Sequence, residues 1–162
     1  MRTLLRTATL SAALTLAAGG LVAGAAATAS AAGKNCDAGT KLDAYGVVGG
    51  GSSYAYAGRN VQLLNGRTRN YTHGQIISGY HRGDRTWVDR SRNKMPKTPK
   101  HPSTALVKSH GGWKQCGPFN SSTTDSVTNW DTSKVRHYAV RVCIDPAGSR
   151  PYHCGAWYTD AS

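Results

Sequence analysis

The four cysteines constrain the fold of this chain more than any other feature of its sequence. Cys36, Cys116, Cys143 and Cys154 are even in number, and no two of them are spaced as C-x-x-C. Close cysteine pairs are typical of zinc sites, whereas separated cysteines in an exported chain are typical of disulfides. We therefore expect two disulfides and no metal, with three pairings possible.

The first 31 residues are typical of a secretory signal peptide. Arg2 and Arg6 precede an uncharged apolar stretch, and the segment ends in small residues at 29–31. This pattern predicts that residues 1–31 are removed, that the protein is secreted, and that no transmembrane segment remains. The extracellular environment is also where disulfides persist.

The chain beyond residue 31 is strongly basic. It holds 18 Lys and Arg against eight acidic residues, every one an Asp, which is a net charge of +10. A field of this sign favours anionic partners. For an exported protein we expect an anionic envelope polymer or a secreted partner protein rather than a specific nucleic acid, and we expect no cofactor.

The local patterns predict a mainly β protein. Apolar residues alternate in short stretches, and no window has the period of a long amphipathic helix. We predict one small disulfide-stabilised antiparallel β domain, a sandwich or barrel-like fold, at 59–162, preceded by an extended arm rich in Gly and Tyr at 32–58. The predicted strands are 60–64, 75–80, 85–89, 113–116, 137–144 and 154–159, with a tight turn at Asn65-Gly66.

The last two predicted strands favour one disulfide pairing. Alternation over 138–144 places Val140 on one face and Cys143 on the other. If Cys143 pairs with Cys154 across a hairpin, Trp157 falls on the Val140 side. The favoured disulfides are therefore Cys143–Cys154 and Cys36–Cys116.

Residues 82–110 form the most basic stretch, with eight Lys and Arg against two Asp. Three prolines in its second half favour an extended loop at 90–110, which would hold cations apart and exposed. The alternative is a solvated loop that keeps the protein soluble. The predicted contact residues are Arg82, Arg85, Arg90 and Lys94, with Tyr54 and Tyr56 docking the arm in a partner's groove.

The sequence supports a catalytic site less well than a binding surface. The candidate carboxylate pairs are Asp84 with Asp89 and Asp125 with Asp131, but Asp in polar segments commonly caps turns. A nuclease would need a base, an acid and cations for the phosphate. The candidates are His73, His81, His110, His137 and His153, with Arg82 and Lys114. The chain has no Glu, no G-x-S-x-G elbow and no glycine-rich phosphate loop, so we expect no catalytic site.

Five short motifs follow one another between residues 59 and 158. They are VQLLNG at 61–66, GDRTWVD at 83–89, GWKQCGPF at 112–119, VRVC at 140–143 and CGAW at 154–157. In this order they resemble a group of small secreted actinobacterial proteins of unknown function. The resemblance implies a disulfide-stabilised β domain and carries over no catalytic residues.

The chain is also similar in size, export and basic N-terminal arm to adaptor subunits of secreted antibacterial toxin particles. That analogy implies a role in interbacterial competition. Our leading hypothesis is a non-enzymatic binding or adaptor protein that docks onto a partner protein or an anionic envelope component. The alternatives are a secreted nuclease-type hydrolase, using His73 or His81 with Arg82, and a cationic antimicrobial protein.

Overall fold

The computed structural model describes Cys36 and residues 45–67, 71–96, 98–129, 136–148 and 150–160. The expectations for residues 1–31, and all of the predicted arm before residue 45 except Cys36, lie outside this part of the chain. Within it, no helix has the length and apolar character needed to cross a membrane. The described residues are mainly β, which confirms the predicted fold class.

In chain order the elements are β1 (Tyr45–Val47), β2 (Tyr54–Tyr56), β3 (Arg59–Gly66), β4 (Tyr71–Ser78), β5 (Arg85–Ser91), β6 (Met95–Pro96), α1 (Thr104–Ser109), β7 (Trp113–Phe119), β8 (Val127–Thr128), β9 (Arg136–His137), β10 (Val140–Asp145) and β11 (His153–Cys154). All strand pairs are antiparallel. The first sheet has the order β1-β3-β4-β8, with β2 also paired to β3, and the second has the order β11-β10-β5-β7. A third, two-stranded sheet joins β6 to β9.

The two larger sheets pack face to face as a sandwich. Leu63 and Ile76 point inward from the first sheet, and Val88 and Val142 point inward from the second. Alternation along each strand produces this arrangement, because every second side chain faces the same side. The two sheets approach closely at Gly74 of β4, where an added Cβ would lie 2.3 Å from Cγ2 of Val142.

The outer face of the second sheet carries a second cluster, covered in part by α1. Met95, Val107 and Trp157 are buried here. The Arg141 guanidinium lies 4.9 Å from the ring centre of Trp113 and 4.4 Å from that of Trp157. The prediction that Trp157 shares the Val140 side is therefore wrong.

A shift of register explains the position of Trp157. Cys143 lies opposite Cys154, but Val140 lies opposite Tyr158 in an isolated bridge, so the last segment contains one extra residue. One extra residue moves each following side chain to the other face. Tyr158 therefore enters the main core in place of Trp157. Of the strand predicted for 154–159, only Cys154 belongs to a strand, β11, which spans His153–Cys154.

The described part of the predicted arm forms two short strands joined by a turn, and both strands belong to the first sheet. β1 and β2 both pair with β3 of the same domain. The tight turn predicted at Asn65-Gly66 is wrong, because these residues lie within β3, opposite Gly46 and Tyr45. β3 stays paired with β1 as far as Gly66, where the local pattern indicated a turn.

Both predicted disulfides are present. Cys143 and Cys154 are directly opposed on β10 and β11, with a Cα–Cα distance of 4.0 Å. Cys36 is joined to Cys116 of β7, with a Cα–Cα distance of 5.4 Å. The second bridge fixes the beginning of the described chain to the edge strand of the second sheet.

Candidate functional site

A basic cleft of about 620 Å³ lies beyond the end of β5. Three segments line it: the turn after β5, the end of α1, and β9 with the residue that follows it. The lining residues are Arg92, Asn93, Lys94, Ser109, His110, Gly111, Arg136 and Tyr138. We call these residues the basic cleft.

The first two walls are tied together by hydrogen bonds. The Asn93 side chain donates to the carbonyl of His110 at 2.9 Å, and the backbone N–H of Arg92 donates to the carbonyl of Gly112 at 2.9 Å. Gly111, with φ of 96°, lies so close that an added Cβ would be 2.6 Å from Nδ2 of Asn93. Glycine is required here both for its conformation and for this approach.

The third wall is held by backbone pairing. In the small sheet Pro96 pairs with Arg136, and the backbone N–H of Tyr138 donates to the carbonyl of Asn129 at 2.8 Å. The Lys94 ammonium lies 5.9 Å from the ring centre of Tyr138. The cleft is therefore built from segments that the fold positions, rather than from one run of sequence.

The electrostatics of the cleft favour an anion. Arg92, Lys94 and Arg136 are exposed cations, and the described lining contains no carboxylate. The His110 ring donates through Nδ1 to the Leu106 carbonyl at 2.9 Å, because a carbonyl oxygen can only accept. Guanidinium and ammonium groups together offer several donors to phosphate or carboxylate oxygens.

The four cations predicted from the sequence do not form one patch. Arg82 and Arg85 are exposed at the start of β5, and Lys94 lies at the basic cleft beyond its other end. Arg85 pairs with Asp145 across the sheet. Strand β5 therefore divides the basic stretch at 82–110 and separates Arg82 and Arg85 from Lys94.

Arg90 is not a surface contact, and its prediction as one is wrong. It is 7 % exposed and its guanidinium donates to the carbonyls of Thr128 at 3.2 Å and Cys36 at 3.3 Å. The group also lies 4.5 Å from the ring centre of Tyr138. Arg90 lies two residues after Val88 on β5, so its side chain points inward as that of Val88 does. From inside the domain it packs against Tyr138, which lines the cleft.

The arm tyrosines are engaged within their own chain. The Tyr54 hydroxyl donates to the carbonyl of His153 at 3.1 Å, and the Tyr56 hydroxyl donates to that of Pro151 at 2.8 Å. The Tyr56 and His153 rings are stacked at 4.7 Å. Both tyrosines are half-buried and pack against the main core, so they anchor β2 to the domain.

Two of the four carboxylates considered for hydrolysis, Asp84 and Asp89, are engaged in ion pairs. Asp84 is fully buried and accepts hydrogen bonds from the Arg59 side chain and from the backbone of His81 and Ala147. Burial acts to raise the pKa of Asp84, but these hydrogen bonds and the Arg59 charge hold it below its ordinary value. The carboxylate is a structural anchor for two loops.

Asp89 has a similar structural role on the outer face of the second sheet. It accepts from the Trp87 indole at 3.0 Å and from two nitrogens of Arg141 at 2.9 and 2.8 Å. Burial raises the pKa of Asp89, although the charge and hydrogen bonds of Arg141 oppose the shift. Asp89 also lies near the sulfurs of Cys143 and Cys154, but a disulfide has no thiolate to bind a metal. Asp131, the partner considered for Asp125, lies outside the described residues.

The histidines of the nuclease alternative are separated. His73 lies in mid-β4 with its ring 4.4 Å from that of Tyr45, and burial lowers the pKa of His73. His81 lies in the turn after β4, with Nδ1 2.9 Å from the Arg59 guanidinium, which donates to it. That nitrogen is therefore not available as a base. Of the other candidates, His137 is buried and His110 lines the basic cleft.

Sequence reasoning missed six of the eight lining residues, among them the cations Arg92 and Arg136 and the ring of Tyr138. Arg92 belongs to the basic stretch at 82–110, but nothing in that stretch distinguishes it from the neighbouring cations. Nothing in the local sequence of Arg136 or Tyr138 connects them to it, because the fold brings them there through the pairing of β6 with β9.

Comparison with protein-family models, with curated proteins and with solved structures finds no match to this chain. The basic cleft is therefore interpreted from its own geometry and charge.

Proposed function

We propose that the protein is an extracellular binding protein, without a catalytic site, that attaches to an anionic polymer of a cell envelope through the basic cleft. One observation carries this proposal. Arg92 and Lys94 from the turn after β5 and Arg136 from β9 converge on one cleft whose described lining lacks a carboxylate.

The form of the cleft supports a polymer with repeated negative charges. Its volume of about 620 Å³ is sufficient for more than one charged unit of a chain. Its cations are exposed, and an exposed charge contributes little by itself. Several weak contacts along one chain add up, because each releases a condensed counterion.

The state of the candidate acids and bases supports binding over hydrolysis. Asp84 is saturated by hydrogen bonds and Asp89 is paired with Arg141. Asp84 directly precedes β5, and Asp89 lies within this strand, five residues further along the chain. At the rise of an extended strand, this spacing corresponds to a distance of roughly 16 Å. Paired catalytic carboxylates lie about 5–9.5 Å apart.

The proposal is tested by measuring the binding of the purified protein to synthetic poly(glycerol phosphate), with neutral dextran as the control polymer. R92E/R136E removes two cations of the cleft. R67E/K100E makes the same change of net charge at two exposed cations outside it. The cleft variant should bind at least tenfold more weakly than the control variant, and its affinity should depend less steeply on salt, by about 1.5–2 in the log–log slope.

Two results would contradict the proposal. Equal weakening of both variants would mean that binding follows net charge and not the cleft. Equal binding of dextran would mean that the anionic groups are not recognised. Circular dichroism of each variant checks that the fold is retained.

A further inference from the structure

A second cationic surface lies at the opposite end of β5 from the basic cleft. It consists of Tyr80, Arg82, Arg85, Arg150 and Tyr152, which we call the loop surface. All five are exposed; Tyr152 is 64 % accessible and Tyr80 is 39 % accessible. Arg85 is paired with Asp145, whereas none of the described carboxylates forms an ion pair with Arg82 or Arg150.

The two loops that carry this surface are joined by a buried carboxylate. Asp84 accepts the backbone N–H of Ala147 at 2.8 Å and that of His81 at 2.8 Å. The same carboxylate is held by Arg59, whose Nη2 lies 2.8 Å from Oδ1. Gly83 packs against Ala147, with 3.3 Å between an added Cβ and the alanine methyl. The first loop and Ala147 of the second are thus held together before a ligand binds, which lowers the cost of ordering them.

The loop surface and the basic cleft are far enough apart to act independently. Strand β5 separates them and spans Arg85 to Ser91, roughly 20 Å at the rise of an extended strand. That length exceeds the screening length of about 8 Å at physiological salt. Between the two, Arg90 is buried and presents no charge to solvent.

We propose that the loop surface is a second site for a phosphate-bearing polymer, so that one molecule bridges two polymer chains. This inference rests on the proposed function of the basic cleft for the first chain. At the loop surface, Arg82 and Arg150 supply the charge. The hydroxyls of Tyr80 and Tyr152 supply donors to phosphate oxygens. The separation of the sites prevents both from being filled by one short segment of polymer.

A two-layer capture assay tests the bridge. Poly(glycerol phosphate) is immobilised, the purified protein is bound and washed, and a fluorescent chain of the same polymer is added. The natural protein should capture the second chain. R82E/R150E should still bind the first layer but capture at least fivefold less of the second, while R67E/K100E, with the same net charge, should capture as the natural protein does.

The outcomes separate this inference from the function on which it rests. Undiminished capture of the second chain by R82E/R150E would overturn the second site. That result would include the case in which two protein molecules, each bound through its basic cleft, form the bridge. In the R82E/R150E background, where the loop surface no longer binds, first-layer binding that is undiminished by adding R92E/R136E would overturn the function of the cleft. The amount of protein in the first layer is measured separately by absorbance, so the two failures are distinguishable.

Discussion

Replacing Gly74 by Ala tests how closely the two sheets approach. A Cβ at this position would lie 2.3 Å from Cγ2 and 3.1 Å from Cβ of Val142. Ordinary carbon contacts are about 3.5–4.0 Å, so the new methyl would be more than 1 Å too close. Val142 is fully buried and has no solvent space to move into. We therefore expect G74A to lower the free energy of unfolding by about 1–3 kcal/mol, as overpacking of cores does.

The partner side chain gives the test its specificity. V142A alone removes two buried methyl-sized groups and should cost about 2–3 kcal/mol. In G74A/V142A the new methyl occupies part of the space that is left. The double variant should therefore lose at least about 1 kcal/mol less than the sum of the single losses.

Urea unfolding followed by tryptophan fluorescence measures these differences. G49A is the matched control, because Gly49 has no heavy atom within 4 Å of an added Cβ and does not have a positive φ. It should be unchanged or more stable by about 0.4–1 kcal/mol. If G74A is as stable as G49A, or if the losses at 74 and 142 are simply additive, the close approach of the sheets is refuted.

Two further predictions concern the disulfides and the acid limit of stability. Replacing Cys36 and Cys116 by Ala, which opens a loop with a separation of 80 residues, should cost about 4–5 kcal/mol, against about 3 kcal/mol for Cys143 and Cys154 with a separation of 11. Equal losses in guanidinium unfolding would contradict the loop-entropy argument. Because the folded pKa of Asp84 is depressed, its contribution is present above its unfolded pKa and is lost as the pH falls below about 4. D84N should be less stable at pH 7 and show a flatter stability profile in acid, and a profile parallel to that of the natural protein would count against this assignment.

Local patterns predicted the parts of the fold that depend on near neighbours. Alternation in β10 and the turn after it placed Cys143 opposite Cys154, and the remaining bridge followed by elimination. Alternation alone predicts the wrong face for Trp157, because one extra residue between Cys154 and Tyr158 reverses the alternation. Such a bulge has no compositional signal of its own, since its position is decided by pairing with a distant strand.

The site was harder to predict than the sheets. Lys94 was identified from the charge of its surroundings, whereas Arg90 in the same run is buried. Extending the predicted strand at 85–89 by one residue would have shown this, because Arg90 then shares the inward face with Val88. Arg136 could not be found in this way, because charge density in a sequence window does not record which windows the fold brings together.

The order of strands in the second sheet determines when folding can be completed. Its two central strands, β5 and β10, are adjacent in space but more than 50 residues apart, since Trp87 pairs with Cys143. Such distant pairings carry a large loop-closure cost and make folding slow. Synthesis runs from the N-terminus, so the first sheet's β3–β4 hairpin can form early while Val88 still lacks its neighbour. The sandwich can therefore close only after β10, which ends at Asp145, has been synthesised.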